Sequence, residues 1–541
     1  MPETTIRSTV PPPPLSRRRL LAIGAAVPAA AAVHAISTAG SAAATTTVLA
    51  SSFGHDPLDA TESLQAALDS TADVVVIDHD GADWVTRPLF VRRNNLTVVI
   101  EAGVTVRAKA GGFTGSNDSL LTIDNRENVA ILGRGATFVM NKSEYTTGEW
   151  RMGLSLRSAR NVTVEGLAIR DAGGDGIYLG VSATVPSAPR HNVNITLRDV
   201  QCDNSLRNGL SVISVDGLLV EGCSFTNSSG KNPEAGIDFE PNLPNERLSS
   251  IVVRDTTLTG NNICQLMFYL MKLDATSTPV SVIIERVRVD QQPGNRPVFM
   301  YTGPGDSDPG GSIEIRDSLF TTRVGSGNLG LYHRSSSGID LTFRRCVLWN
   351  WGNTFVTHRP VMINAGRSDG SLPITNYGGI VIDDCLLATD QVSPIVKATG
   401  PTTSHLTDVT GLLTVVGPST VTADYGTAPT GVTLALPAVA ASPSFGALGA
   451  TVSVSPLSAS ITPGSPITFT FFRAGGLTSR PLAVRYNLGG TASARVDRAG
   501  LSGAVVFPAG ATSVTVTVTT PASATAGTTI VPTVVSEVFY A

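Results

Sequence analysis

Two carboxylates two positions apart are the residues of this sequence best suited to chemistry. Asp238 and Glu240 alternate with apolar residues in the segment 236–240 (Gly-Ile-Asp-Phe-Glu). In a β-strand, residues i and i+2 share a face, so this alternation predicts that both carboxylates point outward, about 6.6 Å apart along the strand. Such a pair suits inverting or retaining hydrolysis of a glycosidic bond, because adjacent like charges raise one pKa, as a general acid requires. The alternative is a solvated pair, or a pair held by Arg207 or Lys231 for structural reasons.

A third carboxylate, Asp175, is the alternative catalytic partner. It lies in the segment 172–176 (Ala-Gly-Gly-Asp-Gly), where the glycines allow the backbone to bring it to the edge of the same face. Two coils of a stacked structure would separate it from Asp238 by about 10 Å. The competing interpretation is a turn aspartate that accepts hydrogen bonds from its own backbone.

Side chains suited to binding a sugar occur in the same region, between about 149 and 242. Arg207 is suited to clamp a substrate hydroxyl or carboxylate, and Asn208 to hydrogen-bond a sugar. Trp150 is suited to stack on a pyranose ring, although an aromatic residue at a core or edge position needs no such role. The other predicted substrate-binding residues are Tyr178, Arg151 and Lys231.

A repeat of 33 residues indicates the elements that position these side chains. Asn95, Asn128, Asn161 and Asn194 each open a strand-like run. A fixed period of this size is typical of a stacked solenoid. Asparagine at equivalent turns tolerates left-handed backbone and hydrogen-bonds along a stack, so the sequence predicts an asparagine ladder. The ladder stops after Asn194, just before the carboxylate pair.

A second repeated pattern continues to about residue 416: two apolar residues that flank a variable one, followed by a charged residue. The charged positions are Glu165, Arg198, Glu221, Arg254, Glu285, Arg316, Arg344 and Asp383, at intervals of 33, 23, 33, 31, 31, 28 and 39. Variable intervals suit a β-solenoid, because insertions enter the turns without breaking the stack.

A further strand follows a glycine in the coils that carry the candidate residues. The inward positions are predicted to be Leu154, Ile177, Leu210 and Ile237, and the outward ones Ser155, Tyr178, Ser211 and Asp238. The segment 59–68 is predicted to form a short amphipathic helix, with residues 64, 67 and 68 on one face, that covers the open first coil.

Composition and the chain ends bound the remaining possibilities. The 541 residues carry a net charge of −4, which argues against a nucleic-acid partner. Residues 1–44 contain Ser-Arg-Arg-Arg-Leu-Leu, an alanine-rich stretch and a small-residue cleavage site, and they resemble a twin-arginine export signal. A secreted protein is therefore expected, and no other stretch is long enough to span a membrane. The five cysteines (Cys202, Cys223, Cys264, Cys346 and Cys385) are expected to be buried, reduced thiols, and their spacing matches no zinc site.

The run from Val162 to Tyr178 (Val-Thr-Val-Glu-Gly-Leu-Ala-Ile-Arg-Asp-Ala-Gly-Gly-Asp-Gly-Ile-Tyr) resembles the right-handed parallel β-helix, or pectate-lyase-like, superfamily. The resemblance covers roughly residues 50–415. It implies an all-β solenoid and a carbohydrate-directed role, since that superfamily holds polysaccharide lyases, glycoside hydrolases, epimerases and noncatalytic adhesins or tail spikes.

The expected organisation has four parts: the export signal 1–44, the β-helix 45–416, a linker 417–449 rich in Pro, Ala, Thr and Ser, and a small β-sandwich 450–541. Residues 486–518 resemble a Calx-beta domain. That family usually shows Gly-x-Asp-Tyr where this chain has Arg495-Val496-Asp497-Arg498, a departure that removes support for calcium binding there.

Three functions follow from these residues. The favoured one is a secreted glycoside hydrolase that acts on a polysaccharide with Asp238 and Glu240, or with Asp175 as the alternative partner, and needs no cofactor or metal. The second is a polysaccharide lyase or uronan epimerase, in which Asp175, Asp203, Asp238 and Glu240 would hold Ca²⁺. The third is a noncatalytic glycan-binding surface protein. The sugar, the linkage and the oligomeric state are left open.

Overall fold

The computed structural model describes residues 45–538 with internal gaps. The gaps are 185–190, 292–295, 303–308, 323–326, 351–358, 367–373, 391–393, 441–449, 476–477, 479–481, 493–501, 509, 521 and 523. The predicted export signal, residues 1–44, lies outside the described residues.

Three stacks of parallel strands form the body of the molecule, and each coil of the chain contributes one strand to each stack in turn. The first stack contains Thr47–Leu49, Val74–Ile77, Leu96–Ile100, Glu127–Leu132, Arg160–Glu165, Asn192–Arg198, Val215–Glu221, Leu248–Arg254, Val280–Glu285, Gly311–Arg316, Asp340–Arg344 and Thr433–Ala435. The second contains Trp84–Thr86, Thr105–Ala108, Thr137–Val139, Ala168–Arg170, Gln201–Asp203, Ser224–Thr226, Thr257–Thr259, Arg288–Asp290, Leu319–Thr321, Val347–Asn350 and Ala438–Ala440. Two long strands, Asn376–Thr389 and His405–Gly417, belong to both stacks.

The third stack has 12 strands among the described residues. They are Leu89–Val91, Ser119–Asp124, Met152–Arg157, Ile177–Gly180, Leu210–Val212, Ala235–Phe239, Cys264–Tyr269, Val298–Tyr301, Leu329–Tyr332, Val361–Asn364, Val396–Thr399 and Ala423–Asp424. The strands of all three stacks pair in parallel, so the fold is the predicted right-handed parallel β-helix.

The predicted repeat sets the strand register. Glu165 pairs with Arg198, Arg198 with Glu221 and Glu221 with Arg254, and the same position continues through each later coil to Asp383. The alternating charges form ion pairs across the coils, such as Arg198 Nε to Glu221 Oε2 at 2.9 Å. The variable intervals are therefore differences in turn length between strands of constant register.

The asparagine ladder is also confirmed. Asn95, Asn128, Asn161 and Asn194 all have positive φ, between 50° and 57°. Each side-chain amide donates to the carbonyl oxygen of the preceding ladder residue, at 2.8, 3.0 and 3.1 Å. Gly217 takes the next position with φ 84°, so the backbone conformation continues where the side-chain ladder ends.

Inward side chains fill the interior of the coils. Leu154, Ile177, Leu210 and Ile237 are in register on the third stack and are fully buried, as predicted. All five cysteines are buried and none forms a disulfide with another of the five. An α-helix, Thr61–Asp69, covers the first coils with Leu64, Ala67 and Leu68 buried, which confirms the predicted amphipathic helix. Two short 3₁₀ segments, Ala50–Phe53 and Lys142–Glu144, complete the helical elements of the described residues.

The predicted linker is wrong over much of its length. Thr433–Ala435 and Ala438–Ala440 pair in parallel with His405–Gly417, and Ala423–Asp424 pairs with Val396–Thr399. Leu434 joins the interior of the β-helix. The sequence did not indicate this final coil, because small residues and prolines give no strand pattern. Residues 441–449 lie outside the described part of the chain.

Two small antiparallel sheets follow. One contains Ala450–Ser455, Ile467–Gly475 and Ser513–Val518, and the other Ala459–Ser460, Leu482–Gly489, Ser502–Phe507 and Thr529–Val538. They enclose a separate core that includes Phe469, Phe471 and Phe507. The segment 495–498, on which the predicted departure from the Calx-beta pattern rests, lies outside the described residues. Across the part of the chain that is described, no helix has the length and apolar character needed to cross a membrane.

Candidate active site

A polar cleft lies on the outer face of the third stack, across five consecutive coils. Its volume is about 210 Å³, which is small beside the roughly 300–1,000 Å³ of drug-sized ligand sites. It is lined by Asn117, Glu149, Trp150, Met152, Arg157, Asp175, Tyr178, Arg207, Ile213, Glu240 and Asn242. Most of these residues stand at the strand ends, because the turns at the two edges of the third stack form the walls.

Arg207 is the centre of the site, since four carboxylates surround its guanidinium group. Nη1 lies 3.5 Å from Asp175 Oδ1, and Nη2 lies 3.7 Å from Asp238 Oδ2. Nη2 also donates to Glu240 Oε2, and Nε lies 3.6 Å from Glu149 Oε2. One positive charge cannot balance four negative charges, so protons must be held within the cluster.

Asp175 combines burial with access to the cleft. Its Oδ1 accepts a hydrogen bond from the backbone amide of Asn208 at 3.1 Å, whereas its Oδ2 accepts none from the described residues. Burial raises the pKa of Asp175 to about 6, against the lowering effect of the Arg207 charge. A carboxylic acid with this pKa retains its proton at mildly acidic pH and is suited to general acid catalysis.

Asp238 occupies the predicted outward position, in register with Ser211, but it is fully buried and does not line the cleft. The expectation of two carboxylates exposed side by side is therefore wrong for Asp238. Asn208 Nδ2 donates to its Oδ2 at 3.2 Å. Burial, reinforced by the negative charge of Glu240, raises the pKa of Asp238 well above its usual range. Asp238 thus holds its proton more strongly than an ordinary aspartate.

Glu240 lies just beyond the end of the strand Ala235–Phe239 and faces the cleft, with 27% of its side chain exposed. Its Oε2 accepts a hydrogen bond from Arg207 Nη2. Asp175 and Glu240 contact the same guanidinium group, so their carboxyl groups are closer together than the predicted spacing of two coils. Side-chain reach toward a shared arginine explains the difference.

Two glycines allow the wall of the cleft to approach Asp175. A Cβ atom on Gly173 would lie 1.9 Å from the Tyr145 ring, and one on Gly174 would lie 2.4 Å from the carbonyl oxygen of Glu149. The segment that carries Glu149 and Trp150 can pack here only because both positions lack a side chain. The glycines predicted to position Asp175 therefore also admit the opposite wall.

The predicted substrate-binding residues divide into two groups. Trp150, Tyr178 and Arg207 line the cleft, and burial raises the pKa of Tyr178 to about 12. Asn208 is fully buried and hydrogen-bonds Ser211, Asp238 and the amide of Ala235, so it has no atom free for a sugar.

Arg151 and Lys231 are also outside the cleft lining. The Arg151 guanidinium donates to the carbonyl oxygens of Phe113, Thr147 and Thr114 and lies over the Tyr145 ring at 5.3 Å. It holds the segment next to Trp150, where Arg151 itself has a φ of 77°. Lys231 is exposed on the turn before the strand Ala235–Phe239. The structure thus places Asn208, Arg151 and Lys231 outside the cleft lining, and their substrate-binding roles stay predictions.

Several cleft residues were not predicted. Asn117, Met152 and Ile213 reach the site from coils on either side, and Ile213 belongs to the turn that makes one coil only 23 residues long. That short interval was visible in the sequence, but the side-chain direction of a turn residue was not. Arg157, which the sequence suggested as a binder of acid groups, does line the cleft, whereas Glu149 stood beside Trp150 with no pattern to mark it as a lining residue.

The calcium site considered with the lyase alternative does not fit this geometry. The guanidinium of Arg207 stands between Asp175, Asp238 and Glu240, where a shared cation would have to lie. Asp203 instead accepts hydrogen bonds from Thr226 and Asn227. Among the described residues, no group of three metal-binding side chains has a suitable arrangement.

Comparison with known proteins gives distant likenesses. No family model matches the chain. The SPbeta prophage-derived uncharacterized protein YorA of Bacillus subtilis is 26% identical over 159 residues, which are 27% of each chain. The uncharacterized protein YclG of the same organism is 25% identical over 159 residues, 26% of this chain and 27% of that one. The chain thus matches about a quarter of the length of these curated relatives.

Solved structures share the architecture at low sequence identity. The mannuronan C-5 epimerase A-module of Azotobacter vinelandii is 11% identical, covers 73% of this chain and 99% of its own, and has a TM-score of 0.46. An exopolygalacturonase of Thermotoga maritima is 12% identical, covers 68% and 91%, and has a TM-score of 0.39. The catalytic domain of an α-1,3-glucanase is 10% identical, covers 73% and 66%, and has a TM-score of 0.32. Likenesses of this size do not bear on activity.

The strand stacks and the cleft together define the class. The chain is a right-handed parallel β-helix protein with a cleft on its outer face in which carboxylates surround an arginine.

Proposed function

We propose that this protein is a glycoside hydrolase that cleaves a polysaccharide in the cleft of the third stack. Asp175 donates its proton to the glycosidic oxygen as the bond to the anomeric carbon breaks. The Glu240 carboxylate, in contact with Arg207, either removes a proton from the attacking water or attacks the anomeric carbon itself. The observation that carries the proposal is the convergence of Asp175 and Glu240 on one guanidinium group, with the pKa of Asp175 raised to about 6.

Asp238 has a supporting part in this scheme. It is buried outside the cleft lining, has a raised pKa and lies beside the Arg207 guanidinium, so it supports the site without touching substrate. Arg207 contacts and orients both reacting carboxyl groups. These assignments replace the symmetrical pair of Asp238 and Glu240 with a pair formed by Asp175 and Glu240.

Hydrolysis is favoured over lyase or epimerase chemistry by the charge of the cleft. A uronate substrate needs a cation to neutralise its carboxylate. Arg207 is already surrounded by carboxylates, and Arg157 donates to Ser155 and Asn117. A lining that contains Glu149, Asp175 and Glu240 therefore suits a neutral glycan better than an acidic one.

The test is degradation of a panel of neutral and acidic polysaccharides by the mature chain. New reducing ends without ultraviolet absorbance are expected, whereas an unsaturated, absorbing product would identify a lyase. Asp175→Asn and Glu240→Gln are expected to lower kcat by about 10²–10⁴-fold. Asp216→Asn, on a half-exposed ion pair with Arg247, is the matched control and should retain activity. Full turnover by both site variants would overturn the assignment.

Export and the C-terminal sheets are proposed from sequence alone. The twin-arginine segment supports secretion, and residues 486–518 support a Calx-beta-like attachment module. Replacement of Arg17, Arg18 and Arg19 by lysine in the native host is expected to retain the protein in the cytoplasm, as measured by fractionation. Continued export of that variant would remove the proposed route.

A further inference from the structure

A row of tyrosines begins one coil beyond the carboxylates. Tyr269, Tyr301 and Tyr332 are in register at the ends of three consecutive strands of the third stack. The rings of Tyr301 and Tyr332 stack with centroids 5.2 Å apart and planes at 17°. The Tyr269 ring lies 5.7 Å from the Tyr301 ring and is tilted by 56° against it, so the two rings do not stack face to face.

The inner members of the row are fixed from several sides. Phe299 stacks on Tyr332 at 5.8 Å, and His333 meets the edge of the Tyr301 ring at 5.5 Å. The buried guanidinium of Arg296 hydrogen-bonds the Tyr332 side chain. Tyr269 is therefore supported by an ordered aromatic base, which lowers the conformational entropy that a ligand would have to remove.

Register places Tyr269 next to Glu240. Phe239 pairs with Phe268, and Glu240 and Tyr269 are the residues that follow them. Tyr269 thus lies one coil beyond the last coil that lines the cleft, whereas Trp150 belongs to an earlier coil. The strand after Trp150 and the strand that ends at Tyr269 are four coils apart, or about 19 Å along the helix axis at about 4.8 Å per coil. Trp150 precedes Leu154 and Tyr269 follows Leu266, the register counterpart of Leu154, so the two residues also stand at opposite edges of the third stack.

Both of these aromatic side chains are exposed. Tyr269 is 37% exposed and Trp150 is 42% exposed. Among the described residues, the other aromatic side chains with comparable exposure are Phe53, Phe90 and Phe472. Aromatic rings that offer a face to solvent beside a polar cleft are suited to stack on the apolar faces of sugars.

We infer that Tyr269 forms a second sugar-binding position, so that an extended glycan crosses the third stack obliquely from Trp150 to Tyr269 and is cut internally at the carboxylates. Only the cleavage in this inference rests on the proposed hydrolase function; the binding does not. The occupant is a neutral polysaccharide chain of more than about four sugar units, because the two aromatic positions are about four coil spacings apart along the axis and are also offset across the strands.

The experiment compares Tyr269→Ala and Trp150→Ala with the whole chain on soluble neutral polysaccharides and on their oligomers of two to eight units. Each variant is expected to lose about 10-fold in kcat/KM on oligomers of six units or more, and less than about 2-fold on dimers. Phe472→Ala, an exposed aromatic residue on the C-terminal sheets, is the matched control. Tyr269→Phe, which keeps the ring, should rescue the loss, and thermal unfolding checks that each variant is folded.

Affinity electrophoresis on the same polysaccharides separates the two proposals. If the wild type binds without cleaving and Tyr269→Ala weakens binding, the hydrolase function fails and the binding position stands. If Tyr269→Ala leaves binding and chain-length dependence unchanged while Trp150→Ala weakens both, the Tyr269 position is overturned and the hydrolase stands. Release of single units from chain ends alone would overturn internal cleavage, and absence of any glycan binding would overturn both.

Discussion

Proton distribution around Arg207 is the central question at the scale of residues. Four carboxylates lie within 4 Å of this guanidinium group, and two of them, Asp175 and Asp238, have pKa values raised mainly by burial. Glu240 has the shortest contact with Arg207, and its side chain is more exposed than those of Asp175 and Asp238. The environment thus separates an acid from a base although all the groups are carboxyls.

The pH profile follows from this separation. Asp175 must hold its proton to act as the general acid, so kcat/KM should fall as the pH rises through about 6. A pH–rate profile on a soluble polysaccharide measures this alkaline limb. A rate that is constant from pH 5 to pH 8 would be incompatible with Asp175 as the acid.

The same raised pKa predicts an effect on stability. In the unfolded chain the Asp175 carboxyl has its ordinary pKa of 3.8, and in the folded chain its pKa is about 6. Protonation of Asp175 therefore contributes to the free energy of unfolding. This contribution is complete below about pH 3.8 and is lost as the pH rises through 6. Asp175→Asn, which removes a buried charge, should raise the free energy of unfolding at pH 7.5 by about 1–3 kcal/mol relative to wild type, and by much less at pH 4.5.

Urea unfolding at the two pH values measures the difference, with Asp216→Asn as the control for loss of a half-exposed carboxylate. Equal effects of Asp175→Asn at both pH values would show that ionisation of Asp175 does not oppose folding. A more stable and inactive variant would show that the site is maintained at a cost in stability.

Sequence reasoning identified residues that the structure brings together in the cleft, but not the directions of their side chains. Asp175, Arg207 and Glu240 were identified because they interrupt a regular repeat, and the structure brings them together. Asp238 and Asn208 were misplaced, because strand alternation gives the face of a residue but not whether the turns above it cover that face. Neither the convergence of three coils on Arg207 nor the paths of the turns follow from strand periodicity.

At the scale of elements, the asparagine ladder unites two requirements at one position. Each ladder residue needs a left-handed backbone and a side chain that both donates and accepts a hydrogen bond along the stack. Asparagine meets both requirements, and for this reason the strand order and register were predictable from the sequence.

Asn128→Ala tests the ladder. It removes two side-chain hydrogen bonds, to Asn95 and Asn161, and places a Cβ-bearing residue without a compensating bond at φ 57°. The free energy of unfolding should fall by about 1–2 kcal/mol. Asn128→Gly keeps the backbone conformation accessible and loses only the hydrogen bonds, so its effect should be smaller. Chemical denaturation distinguishes the two, and equal losses would assign the whole effect to hydrogen bonding.

At the scale of the whole molecule, the end of the β-helix is further along the chain than composition indicated. The final coil extends to Ala440, and its strand Thr433–Ala435 covers the edge of His405–Gly417 and buries Leu434. An alanine- and proline-rich segment can pair through its backbone even when its side chains give no strand pattern, which is why the sequence suggested a linker.

Two truncations test this boundary. A chain of residues 45–440 keeps every strand of the β-helix and the complete cleft, so it should unfold cooperatively and retain turnover. A chain of residues 45–416 exposes a strand edge and loses Leu434, and it should have a lower Tm and a greater tendency to aggregate. Thermal unfolding and light scattering measure both properties, and equal behaviour of the two chains would show that the last coil is dispensable.

The short turn formed by Ile213 and Ser214 has a consequence for how such proteins diverge. The coil before it repeats at 33 residues and this one at 23, yet the strand pairing is preserved, so the difference of 10 residues (33 − 23) from the preceding coil is absorbed at one corner. Ile213 lines the cleft, so a heritable insertion at this corner would reshape the site while the scaffold is inherited unchanged. Proteins built on this architecture can therefore change the cleft by gaining or losing turn residues while the strand pairing of the scaffold is kept.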